Sequence, residues 1–160
     1  FVSPAGAHPD EAWMRGQVSA FVSHAAAADL PVKQLLHDRD TKFSAAVDAD
    51  LRASGIKVHR LPPRSPNLLA FAERFNLSIK SECLDHFIVF GEKHLNYLVA
   101  EWQAHYHQER PHQGKHNELL CAAGATGPGH DDQPAALNLA DIRCRQRLGG
   151  LLKHYYRRAA

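Results

Sequence analysis

The chain predicts an α/β domain, on three observations. Val32 to His37 is short and apolar enough for a strand, and it ends on a run of charge, Asp38, Arg39 and Asp40. Phe43, Val47 and Leu51 then recur every fourth residue until Gly55 supplies a stop signal, which is helical spacing. Ile56 to Leu61 alternates Ile56 and Val58 with Lys57 and His59, a second strand closed off by Pro62 and Pro63. Strands and helices taken in turn belong to the α/β class.

The other elements follow from the same rules. Upstream, "HPDEAWM" opens a helix, because Pro9 fits a first turn and the free amides there favour the acids Asp10 and Glu11. Met14, Val18, Phe21, Val22 and Ala25 continue it with helical spacing until it fades in the alanine run before Pro31. Downstream, "PPRSPNLLA" is a proline-broken loop, and Leu69 to about Cys83 is helical. On that helix Phe71, Phe75 and Ile79 form the expected core stripe, while Glu73, Leu77 and Lys80 lie on another side. A later helix from about Glu92 to Tyr106 carries Leu95, Leu98, Val99, Trp102 and Tyr106 on one face. Residues 121–137, rich in Gly, Pro and Ala, read as a linker between residues 1–120 and a basic tail at 138–160.

Composition narrows the function classes. At 160 residues with 44% apolar residues, one core can be filled. No window approaches the roughly 18 apolar residues of a membrane span, and no charged-then-apolar leader opens the chain, so a cytosolic protein with no membrane partner is expected. Cys83, Cys121 and Cys144 lack the paired spacing of a zinc knuckle or a disulfide scaffold. The net charge of +2 is uneven: Arg143, Arg145, Arg147, Lys153, Arg157 and Arg158 against Asp141 give the tail +5 and leave −3 elsewhere. Only the tail is attractive to phosphates, and a solvated terminal helix explains it equally well.

The chemistry centres on two acids. A carboxylate at the end of an apolar strand is held rigidly and half desolvated, which is costly unless something positive meets it. Asp38 is that group, and a solvated turn aspartate is the plainer alternative. Glu73 comes 35 positions later on a helix whose opposite side is apolar, so it too is fixed; a surface acid paired with a nearby Lys or Arg is its alternative. Two fixed carboxylates close together raise a pKa or recruit a divalent cation, and hard oxygen ligands point to Mg2+ or Mn2+. His105, His107, His112 and His116 fall within twelve residues and suggest zinc, but Arg110 and Pro111 split them, and a helix end followed by a polar turn explains them.

"HDRDTKF", "LPPRSPNLLAFAERFNLSIKSECLDHF" and "YHQERPHQG" resemble the catalytic core of insertion-sequence transposases and retroviral-type integrases, the DDE polynucleotidyl transferases. The resemblance extends from about Val2 to Tyr156. It implies an RNase H-like fold, a mixed sheet flanked by helices, with Asp38 and Glu73 as catalytic metal ligands. It also implies Mg2+ or Mn2+ as cofactor and DNA, both transposon ends and target, as partner. Lys80 is placed to hold a DNA phosphate, as is Arg64 in the loop before the helix. Such cores need a third carboxylate on a first strand, and Phe1 to Gly6 matches only the end of the third strand. A core incomplete at its N-terminus is therefore expected, weak or inactive alone, its bare strand edge inviting a second copy. The alternatives are a noncatalytic DNA-binding or self-associating remnant, and a different RNase H-like nuclease.

Overall fold

The structure, a computed structural model, describes residues 1–63, 66–121 and 139–157. They fall into two compact units, residues 1–77 and 78–160.

The first unit opens with helix α1 (Glu11–Ala27), capped by Asp10, whose side chain accepts a hydrogen bond from the Trp13 amide at 2.8 Å. Strand β1 (Gln34–His37) is shorter than the apolar run suggests. It leads through helix α2 (Ala45–Ala53), capped by Ser44, to strand β2 (Lys57–Arg60). β1 and β2 pair in parallel from Gln34↔Lys57 to His37↔Arg60, and α2 is the crossover that parallel pairing requires. Gly55, at φ +78°, ends α2 by letting the Ile56 amide turn back to the Leu51 carbonyl at 3.0 Å. Val18, Val47, Leu51 and Ile56 form the buried centre, with Phe21, Leu35, Phe43 and Val58 packed around it. This is the predicted β-α-β order, with the predicted residues inside.

Helix α3 (Ala70–Glu82) follows a 3-10 turn over Pro66–Leu69. Its expected core stripe is only partly covered. Ile79 is buried and Phe75 half-buried, but Phe71 is 96% exposed. Periodicity identifies a face of a helix and not the length over which that face is covered. The first turn of α3 is left open.

In the second unit, helix α4 (Gly91–Gln108) buries Leu98, Trp102 and His105, with Cys83 also buried. Strands β3 (Ile142–Arg147) and β4 (Leu152–Arg157) pair antiparallel and pack on α4. The segment expected as a basic tail or terminal helix is thus a β-hairpin. Its turn runs through Leu148, Gly149 and Gly150, all at positive φ, and the Gly-Gly pair adopts that conformation without steric cost. The sequence hides the hairpin because its inward positions are filled by arginine and histidine as well as leucine. Among the described residues the strands form two separate two-stranded sheets, not one mixed sheet. The expected linker lies, from residue 122 onward, outside the described residues. No helix among the described residues is long and apolar enough to cross a membrane.

Candidate functional site

The carboxyl end of β1 is built on a buried ion cluster. His37 is 3% exposed and stacks on Phe43, ring centroids 4.2 Å apart. Its Nδ1–H meets the Asp38 carbonyl, and its Nε2 lies 3.1 Å from Asp48 Oδ1. Asp48 comes from the first turn of α2 and is 2% exposed. A carboxylate buried this deeply needs positive or donating partners. Arg60 supplies one from the end of β2, with Nε 3.0 Å and Nη2 2.9 Å from Asp48 Oδ2, and Arg52 approaches within 3.6 Å. Arg60 also donates to the Phe43 carbonyl at 3.3 Å. The strand end is therefore clamped from below by the helix and from the side by its neighbour strand.

Above this clamp Asp38, Asp40, Phe43 and Arg60 help line a cleft of about 350 Å³. Asp38 Oδ1 accepts from the Asp40 amide at 3.0 Å, and Asp40 Oδ1 accepts from the Lys42 amide at 3.0 Å. The Lys42 amide is the main reason the Asp40 carboxyl sits below the usual carboxylate range. Arg39 donates through Nε to the Leu61 carbonyl at 3.2 Å, fixing the loop. The second oxygen of Asp38 has no partner among the described residues. The cleft thus offers a hard oxygen donor beside guanidinium groups, a pairing suited to a cation and a phosphate.

Glu73 lies exposed in the first turn of α3 and is not among the residues lining this cleft. No described contact brings Asp38 and Glu73 together. Lys80, with a side chain 64% exposed, is paired with Asp85. Arg64 lies outside the described residues.

The "YHQERPHQG" stretch has a structural job in the second unit. Arg110 donates to Glu82 Oε1 at 2.7 Å and lies over the Tyr106 ring at 5.2 Å. His112 reaches the Tyr106 carbonyl at 2.9 Å. Glu109 is 2% exposed and is gripped by His105 Nδ1 at 3.2 Å, Arg145 Nη1 at 3.2 Å, and Arg147 through Nε at 3.0 Å and Nη2 at 2.8 Å. The Arg147 bonds above all hold the Glu109 carboxyl down to about 2. His105 bonds Glu109 at the end of its own helix, and His112 ties the following turn back to the Tyr106 carbonyl of α4. No group of three or more metal-capable side chains gathers among the described residues.

Sequence reasoning missed Asp48, Arg60 and Glu109. Asp48 did carry a signal: it sits between Val47 and Leu51 on the buried side of a helix, where an acid is costly without a partner.

Residues 54–118 match the family model of the integrase core domain, a stretch that contains Glu73, Lys80 and "YHQERPHQG" but not Asp38. The chain is also similar to an insertion-element protein. It is 27% identical over 105 residues, 65% of its own length, to the uncharacterized 31.7 kDa protein of insertion element IS407 of Burkholderia multivorans. The chain spans 38% of that relative's length. No solved structure matches it. Integrase core domains of this type generally use divalent metals. Asp38 fits such an ion in donor chemistry, though the described residues supply only part of a ligand set.

Proposed function

We propose that the chain is part of an integrase-type transposase of a mobile element, acting in the cytosol on the phosphodiester backbone of transposon ends and target DNA. Its core would be an RNase H-like α/β fold in which Asp38 and Glu73 hold Mg2+ or Mn2+. The observation that carries this is Asp38, set on a clamped strand end at the rim of a cleft, 35 positions before a glutamate inside integrase-core sequence. Asp38 and Glu73 would hold the divalent ion, whose chemistry would be activation of a water or a DNA 3′-hydroxyl and stabilisation of the leaving oxygen.

The chain's own residues have separate tasks. The His37, Asp48 and Arg60 cluster fixes the backbone that carries Asp38, so the carboxylate need not be ordered when an ion arrives. Lys80 holds a DNA phosphate. Its exposed pair with Asp85 is worth about 1 kcal/mol or less, so a phosphate can replace the carboxylate. Arg64 has the same task.

Manganese binding, followed by calorimetry, together with strand joining on labelled DNA ends tests the proposal. Asp38→Asn and Glu73→Gln should each weaken binding and remove any joining. Unchanged manganese affinity in both variants would overturn it. A second reading, a noncatalytic DNA-binding or self-associating protein, is favoured by the lack of three converging metal-capable side chains among the described residues. It predicts no joining by the parent chain and full DNA affinity in Asp38→Asn. Preference for RNA:DNA hybrids over DNA ends would instead indicate a nuclease.

A further inference from the structure

The β3–β4 hairpin divides the basic C-terminal segment into two chemically different faces. Opposed residues in an antiparallel pair project to the same side. On one side, Arg147 opposes Leu152 and Arg145 opposes His154. That side meets α4: Leu152 is buried, both arginines bond Glu109, Arg147 also bonds Glu101 at 3.1 Å, and His154 reaches the Glu109 carbonyl at 2.7 Å. The charges of Arg145 and Arg147 are met by acids of α4 and its end, while Arg143, opposite Tyr156 on this side, is exposed and donates to the Ala140 and Ile142 carbonyls.

On the other side Gln146 opposes Lys153, Cys144 opposes Tyr155, and Ile142 opposes Arg157. Lys153, Tyr155 and Arg157 are exposed, Tyr155 by 64%. The two cations flank the tyrosine at two-residue spacing on one strand, each about 7 Å along from it. Neither β3 nor β4 contains an acid, and neither cation has an ion-pair partner among the described residues.

We propose that this outward face binds single-stranded DNA, with Tyr155 stacking on an unpaired base while Lys153 and Arg157 hold the flanking phosphates. An aromatic ring set between two exposed cations, unpaired among the described residues, matches a ligand that alternates π-faces with negative charges. An acidic peptide would satisfy the cations and leave the ring without a partner. The assignment rests on the reading that the chain works on DNA, and adds a contact surface remote in sequence from Asp38 and Glu73.

Fluorescence anisotropy of a labelled oligothymidylate, titrated with the full chain in EDTA between 50 and 200 mM salt, tests it. Tyr155→Ala should weaken binding about tenfold, and Tyr155→Phe should retain it. The double variant Lys153→Gln/Arg157→Gln should flatten the slope of log affinity against log salt by about 1.4, two phosphate contacts at about 0.7 each. Lys33→Gln/Lys57→Gln, an equal charge change in the first unit, is the control and should cost little. The proposal is overturned by unchanged binding in Tyr155→Ala, by an equal loss in the control, or by equal affinity for a duplex or for polyglutamate. Because EDTA removes divalent metal, this binding is read without any contribution from the metal site. Failure of metal chemistry and failure of this face are therefore read separately.

Discussion

Each unit of the molecule is built around one buried carboxylate held by a histidine and an arginine, and the two clusters differ in how far the chain travels to make them. Asp48 takes His37 from 11 positions before it and Arg60 from 12 positions after it, all within one β-α-β stretch. Glu109 takes His105 from its own helix but Arg145 and Arg147 from 36 and 38 positions onward, across a stretch with no periodicity. The first cluster costs little loop-closure entropy and shapes the strand end that carries Asp38. The second joins positions far apart in the chain and fastens a hairpin. Local ion clusters of this kind can position a site, whereas distant ones decide whether a segment folds at all.

The largest way to break this comparison is Arg147→Ala. Among the described residues it leaves Glu109, 2% exposed, with His105 and a half-exposed Arg145, and removes the Glu101 bond as well. Breaking a buried pair from one side typically costs about 3–5 kcal/mol. The loss should fall on the second unit, read as early exposure of Trp102 and ready proteolysis within β3 and β4, while β1, α2 and β2 retain their hydrogen-exchange protection. Uniform loss across both units would mean that the clusters do not anchor their units independently.

Acid sharpens the same contrast. The Glu109 carboxyl is held at about 2 against an ordinary 4.5, chiefly by Arg147, with His105 and Arg145 adding to it. A depressed carboxyl contributes stability that is fully present above the unfolded value and is lost as pH falls through the folded one. The contribution, about 3 kcal/mol at most for a shift of this size, should therefore persist above pH 4.5 and disappear between there and pH 2. In a Trp13→Phe background the fluorescence of Trp102 reports this unit. The acid transition should move to higher pH in Arg147→Ala. An acid transition indifferent to Arg147 would remove Glu109 as its cause.

What could be read from the sequence divides along the same line. The β-α-β stretch was legible because its apolar residues follow strict periods of two and four: Val47, Leu51 and Ile56 are where the pattern puts them. The position of Asp38 directly after β1 was legible because an acid at the end of an apolar run is conspicuous. Phe71 misled, since nothing in a helical period says where the covering element stops. The hairpin was illegible because Arg145, Arg147 and His154 occupy inward positions that a hydrophobic count reads as surface. Their partner, Glu109, looked like part of a polar turn. A buried charge is visible in sequence only when its partner is already known, and here the partners are far apart.

The smallest expected effect tests the first cluster. Asp48→Asn keeps the size of the side chain and the packing of Val47 and Leu51, but offers Arg60 a neutral amide in place of a charge. Arg60, with a side chain 49% exposed, can turn to water, whereas His37, 2% exposed, cannot. The cost should be about 1–3 kcal/mol, the range for a buried group left short of a partner, and smaller than that of Arg147→Ala. Because His37 also holds the Asp38 carbonyl, the loosened ring should let the strand end shift, weakening manganese binding beyond what the stability loss explains. A variant that melts earlier yet binds manganese like the parent would show that the cluster supports the fold alone, and that Asp38 is positioned by the turn through Asp40 and Lys42.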